Sequence, residues 1–181
     1  MFFAALNSTA DLAQDFGKPQ DSYRWRATTD KIKKVANQEL FNTDLNYFYR
    51  GIWPSGEKDH KIDALSFYSA FMFGLFDFSS SEIERSFESL KEYFEAEQNI
   101  GIPRFEIDVY YRFSDDYNPN IWIISTLWLA EFYLAKGDKR QAKPILDWVV
   151  TRSSSTGILP EQINPRSLEW LSVAPLNLES G

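Results

Sequence analysis

Residues 121–150 read IWIISTLWLAEFYLAKGDKRQAKPILDWVV, and this stretch decides the fold. Ile121 to Ala135 is apolar almost all round, as a helix enclosed by neighbours must be. Gly137 supplies a helix stop, and Asp138 directly after it can start the next helix, so a tight αα-hairpin is predicted. In the second helix Ala142, Ile145, Leu146, Val149 and Val150 form a single stripe, which leaves its other side for solvent. Pro144 removes a backbone donor inside that helix, and a kink is expected there.

Two more pairs of the same kind lie upstream. The first helix is predicted from about Phe2 to Phe16, stopped by Gly17 with Pro19 just beyond. Asp21 is a candidate cap for its partner, which runs to about Phe41 with Trp25, Ile32, Val35 and Leu40 as apolar positions. The second pair opens after Asp63. Ala64, Phe67, Tyr68, Phe71, Met72, Leu75 and Phe76 recur at helical spacing. Its partner starts at Ser81-Glu82-Ile83-Glu84, which reads as a capping box, and Ile83, Phe87, Leu90 and Phe94 make one face. The pairs begin near residues 2, 63 and 119, a period of about 60, long for a solenoid repeat. One nearly apolar helix and one amphipathic helix per pair suggest an inner and an outer ring. The expected fold is therefore all-α, a partial α/α toroid (an incomplete (α/α)6 barrel) of about three helical hairpins. Long loops at roughly 42–62, 98–118 and 153–181 would build one face, and loops of that length in a compact domain usually carry function.

The chain has 181 residues, the size of one ordinary domain. It is 44% hydrophobic and 17% aromatic, enough for a sizeable core. A net charge of −7 without a basic run argues against nucleic acid and against anionic membranes as partners. No apolar run approaches the ~18 residues of a membrane span. The absence of cysteine excludes disulfides, thiolate nucleophiles and cysteine-ligated zinc, and fits a reducing cytoplasm. The single histidine, His60, sits among charged residues and is expected to be solvated. It supports neither a catalytic triad nor a histidine metal cluster, and no phosphate-binding loop is present. Met1-Phe2-Phe3-Ala4-Ala5-Leu6 lacks the basic region of a signal peptide and reads as the middle of a helix.

Three segments could carry chemistry. Arg104-Phe105-Glu106-Ile107-Asp108-Val109-Tyr110-Tyr111 places a guanidinium fork and a carboxylate in one loop. An arginine only donates and a carboxylate only accepts, so together they can orient several hydroxyls, pair with each other, or do both at once. Asn118-Pro119-Asn120-Ile121-Trp122 brings an aromatic to the start of the enclosed helix. Gly157-Ile158-Leu159-Pro160-Glu161-Gln162 carries a glutamate on a loop, aimed by the proline before it.

The order and spacing of these segments resemble the C-terminal half of the catalytic domain of glycoside hydrolase family 15, the glucoamylase and trehalase-like enzymes. The resemblance implies one partial domain, residues 1–181, from a longer exo-acting, inverting α-glucosidase. Glu161 would be the general base. Arg104 and Asp108 would grip the terminal sugar, Tyr110, Tyr111 and Trp122 would be pocket walls, and Gln162 would bind substrate. The substrate would be an α-glucan, a maltooligosaccharide or trehalose, with no cofactor and no metal. Inverting hydrolysis needs a second carboxyl roughly 6.5–9.5 Å from the base. In the family this acid belongs to a Trp-Glu segment before the first helix, a position that nothing here occupies, so this chain alone is expected to be inactive. Departures are Phe105 where the family usually has tyrosine, two residues inserted within the usual Asn-Pro-Trp, and a different continuation after Pro175-Leu176. Tyr49-Arg50-Gly51-Ile52-Trp53 with Asp63-Ala64 resembles a further family segment, although Asp63 serves equally as a helix cap. The alternatives are a non-catalytic toroid that binds carbohydrate or protein, and a plain helical-repeat interaction domain.

Overall fold

The computed structural model describes residues 2–94 and 100–171. The expected departure after Pro175-Leu176 lies outside these residues. The chain divides into two compact units, one of Met1–His60 and Ser66–Ser89, the other of Lys61–Leu65 and Leu90–Gly181.

The first unit begins with α1 (Phe2–Asp15) packed against α2 (Pro19–Glu39). Gly17 turns between them at φ +70°, a conformation open to glycine. Asp21 does not cap α2. The helix starts two residues earlier, at Pro19, where a missing N–H costs nothing. Asp21 falls in the first turn instead, where a negative charge suits the helix dipole. The buried line of α2 also differs from expectation: it is Ser22, Thr29 and Ala36, facing Phe3, Ala10 and Ala13 of α1, while Val35 is exposed. Small residues seven apart let two helices approach closely, and the Thr29 hydroxyl donates to the Arg26 carbonyl, so its burial leaves no orphan group.

The expected loop at 42–62 contains two short hairpins. β1 (Phe41–Asn42) pairs with β2 (Tyr47–Phe48), and β3 (Gly51–Ile52) with β4 (Lys58–Asp59). The Asn42 carboxamide accepts from Asp44 and Leu45 N–H groups and closes the first turn. Arg50 pairs with buried Asp59 across the second (Nη2–Oδ2 2.7 Å). Trp53 is exposed. His60 is exposed as expected, with Asn42 at 3.1 Å from its Nδ1.

Helix α3 (Ala64–Met72) buries Ala64, Phe67, Ala70 and Phe71. It ends before the predicted stripe does. Phe76 still reaches the core, its ring 4.6 Å from Phe48's. Helix α4 (Ser81–Tyr93) buries Ile83, Phe87 and Leu90 as expected, and Phe94, directly after its last turn, completes that face. Its start is one residue off the predicted capping box: the Ser80 hydroxyl accepts from Ile83 N–H. Phe67 stacks on Phe87 at 5.8 Å, which joins α3 and α4 into a hairpin.

In the second unit α5 (Ile123–Ala135) and α6 (Lys139–Val150) form the predicted hairpin. Gly137 has φ +77°, and Asp138 caps α6 by accepting from Gln141 N–H at 3.1 Å. Ala142, Ile145 and Val149 are buried, whereas Val150 lies outside the stripe, 68% exposed. α6 continues through Pro144. The first two residues of the predicted helix are strand instead. β5 (Ile121–Trp122) pairs antiparallel with β6 (Gln162–Ile163), Ile121 opposite Ile163 and Trp122 opposite Gln162. Ile121, Ile123, Val149 and Ile163 form a core cluster, with Trp148 and Leu127 packed on it. The chain passes so close to this cluster that a Cβ on Gly101 would stand 2.4 Å from Ile121 Cγ2 and 3.0 Å from the Trp148 ring. Six helices in three hairpins are the content expected of a partial α/α toroid, with the short ladders as its loops' only strands among the described residues.

Candidate active site

The loop after Gly101 is pinned first by backbone. Ile62 to Ala64 runs antiparallel to Arg104–Glu106: Ala64 N–H donates to the Arg104 carbonyl and Glu106 N–H to that of Ile62, both at 2.9 Å. Glu106 also accepts from Ile62 N–H through its side chain at 3.0 Å. Asp63, which sequence left between two roles, caps α3 by accepting from Leu65 N–H at 2.7 Å. Burial, and then the charge and hydrogen bond of Glu106, push the Tyr93 phenol above its ordinary pKa.

Beyond this anchor the chain turns sharply. Ile107 has φ +58° and Tyr111 φ +49°, left-handed values that are unusual for a tyrosine and strained for a β-branched side chain. Between them Asp108 turns inward and is 2% exposed. Both its oxygens are engaged. Arg104 Nε donates to Oδ2 and Nη2 to Oδ1, each at 3.0 Å, and Tyr110 N–H adds a third bond to Oδ1 at 3.1 Å. The bidentate fork holds the guanidinium plane and leaves Nη1 outside the pair. The ion pair is formed: this carboxylate orients Arg104 with both oxygens, Oδ1 accepting two hydrogen bonds and Oδ2 one.

The guanidinium lies among aromatics, its Cζ 4.2 Å from the centroid of the Trp122 ring, 5.0 Å from Phe105 and 5.9 Å from Tyr110. The Tyr110 ring is 6.1 Å from Trp122 and 4.9 Å from Tyr111, edge-on. Trp122 is buried, while Tyr110 and Tyr111 are 47% and 64% exposed. The indole is therefore the fixed member of the group and the tyrosines its outer rim. Trp122 is held by its backbone: its N–H donates to the Ile102 carbonyl, and its carbonyl accepts from the Thr126 hydroxyl. Its indole Nε1 is buried and has no partner.

Through the β5·β6 ladder the site reaches the second loop. Gln162, fully buried, stands opposite Trp122, and Ile123 N–H donates to the Glu161 carbonyl at 3.2 Å. Glu161 is partly exposed, with Oε2 buried and unpartnered. Arg104, Asp108, Tyr110, Trp122 and Gln162 thus belong to one contiguous cluster. Tyr111 joins it by ring contact. Glu161 precedes Gln162 in the chain and is tied to β5 through its backbone carbonyl alone; successive side chains of an extended segment face opposite ways, so this adjacency does not bring its carboxylate to the Trp122 face.

Sequence reasoning passed over Asn120. It is 2% exposed, and its carboxamide holds the two loops together. Nδ2 donates to the Tyr111 carbonyl at 2.7 Å and to Gln162 Oε1 at 2.8 Å, and Oδ1 accepts from Phe113 N–H at 3.1 Å. Reading residues 120–122 as strand, with Asn120 and Trp122 on one face, would have exposed it. Among the described residues no cluster of His, Cys, Asp and Glu could hold a metal, and no helix is long and apolar enough to cross a membrane.

The fold is similar to part of several solved glycosidases. A bacterial glucoamylase solved with acarbose matches with a TM-score of 0.73 at 16% identity, over 94% of this chain and 28% of that one. A glycosidase variant solved with glucose matches at 0.65 and 17% identity, over 92% and 42%. Among curated proteins, an uncharacterised glycosyl hydrolase of Methanocaldococcus jannaschii is 25% identical over 96% of this chain and 29% of its own length. A trehalase of Thermoplasma volcanium is 22% identical over 97% and 26%. The chain therefore spans between about a quarter and a third of the length of these relatives. No family profile matches it.

Proposed function

We propose that this chain carries the sugar-gripping and general-base side of an inverting, exo-acting α-glucosidase pocket of the glucoamylase and trehalase type, taking a maltooligosaccharide, an α-glucan or trehalose. The observation that carries the reading is Arg104, clamped by buried Asp108 and set over the Trp122 ring, whose ladder partner is Gln162 beside Glu161. A guanidinium fixed by a bidentate pair beside aromatic rings offers oriented donors to sugar hydroxyls, while the rings take the apolar sugar face. Glu161 would remove a proton from the attacking water. Its Oε2 is buried and accepts no hydrogen bond from the protein. Asp108 is engaged by Arg104 and Tyr110 through both oxygens, so it is read as the clamp of Arg104 and not as the acid. The general acid would come from sequence beyond these 181 residues.

The test is release of glucose from maltooligosaccharides and from trehalose by the longer polypeptide that contains this sequence, with and without Glu161→Gln. Loss of about 100-fold or more in kcat, within the usual range for a removed general base, supports the assignment. Equal activity in both proteins removes Glu161 from that role. Undiminished sugar binding without turnover in either protein favours the non-catalytic toroid.

A further inference from the structure

Amide side chains have two ends, and which end points where depends on their neighbours. The polarity of Asn120 is dictated by backbone: Phe113 N–H requires an acceptor, met by Oδ1, and the Tyr111 carbonyl requires a donor, met by Nδ2. Nδ2 then turns its second proton to Gln162 Oε1 at 2.8 Å. The reverse orientation of Gln162 would face two NH2 groups at that distance. Gln162 Nε2 is left as a buried donor without a partner, and so is Nε1 of Trp122, the residue directly opposite on the ladder. Side chains opposed in an antiparallel pair share one face. A buried donor from which nothing accepts is costly, so both nitrogens call for an acceptor.

We propose that Asn120 is a positioning residue that fixes the Gln162 carboxamide in one polarity, so that Gln162 Nε2 and Trp122 Nε1 form a two-donor pair for a hydroxyl oxygen of the bound sugar. This deepens the carbohydrate reading above and rests on it. Both nitrogens are shut off from solvent here, so the sugar has to displace part of the aromatic cover. Tyr110, exposed and with its ring 6.1 Å from Trp122's, is the member placed to yield.

The relay and the ligand are tested separately on the longer polypeptide that contains this sequence, 15N-labelled. Asn120→Asp keeps the acceptor for Phe113 N–H but faces Gln162 with an acceptor, so the Gln162 carboxamide must turn over. NMR should show nuclear Overhauser contacts from the Gln162 side-chain NH2 to the Trp122 indole proton in the wild type and their loss in Asn120→Asp. An unchanged contact pattern overturns the relay. Gln162→Glu retains the oxygen that accepts from Asn120 and deletes the donor. It guards against Asn120→Asp failing to fold: an Asn120 side-chain signal that stays in place while acarbose affinity falls about tenfold supports the donor pair. Equal acarbose affinity in Gln162→Glu and wild type overturns it. Absence of acarbose and maltose binding by the wild type, with the Gln162 contacts switching as expected, sinks the carbohydrate reading and the ligand assigned here, and leaves the relay standing.

Discussion

Replacing Asp108 by asparagine tests the clamp with almost no change of shape. The carboxylate is 2% exposed and accepts three N–H bonds, two from Arg104 and one from Tyr110. Asparagine keeps a single acceptor oxygen and aims its NH2 at an arginine N–H. Hydrogen bonds to a charged group contribute about 1.5–3 kcal/mol each. The Arg104 side chain is 36% exposed, so water recovers part of that loss on its side of the pair. The expected net destabilisation is about 2–3 kcal/mol. For a chain of this length that lowers Tm by about 5–10 °C, to be read by circular dichroism. The freed guanidinium also loses its fixed plane, so sugar affinity should fall with stability. A Tm within 1 °C of wild type would refute the view that Asp108 is the residue that holds Arg104.

Two further outcomes follow from close approach and from backbone strain. Gly101→Ala places a methyl 2.4 Å from Ile121 Cγ2, in the cluster that seats β5. Over-packing there should cost about 1–3 kcal/mol in a denaturant titration, and a cost near zero would show that the loop relaxes freely. Ile107→Gly removes a β-branched residue from φ +58° at a position whose side chain is 56% exposed. Relief of strain of about 1–2 kcal/mol against a glycine entropy cost of about 0.5–1 predicts unchanged to slightly higher stability. Loss of more than 1 kcal/mol in the same titration would mean that the Ile107 side chain itself holds the turn.

The parts legible in the sequence are those where burial and helical period coincide. Ile83, Phe87, Leu90 and Phe94 announce α4, and Gly137-Asp138 announces the α5–α6 turn. The face of α2 was illegible because Ser22, Thr29 and Ala36 pack through being small, which leaves no hydrophobic signal. β5 was missed for a related reason: a continuous apolar run reads alike as strand and as buried helix, and only its partner Gln162–Ile163 separates the two. The site's residue types and order were readable, but the division of labour among them was not. Nothing in the spacing of Arg104 and Asp108 says that a left-handed Ile107 folds the carboxylate inward to occupy both its oxygens. Asn120 looked like part of an insertion before Trp122, whereas its hydrogen bonds make it the tie between two loops.

The central claim is that one cluster, built on Arg104 and Trp122 and reaching Glu161 through Gln162, receives a sugar. Titrating the 15N-labelled protein with acarbose and mapping shifted NMR signals tests it most directly. The account predicts saturable shifts at the Trp122 indole, at the backbone of 104–111 and at 161–162, all weakened by Arg104→Ala. Shifts confined to other surfaces, or shifts at these positions that Arg104→Ala leaves unchanged, would contradict it.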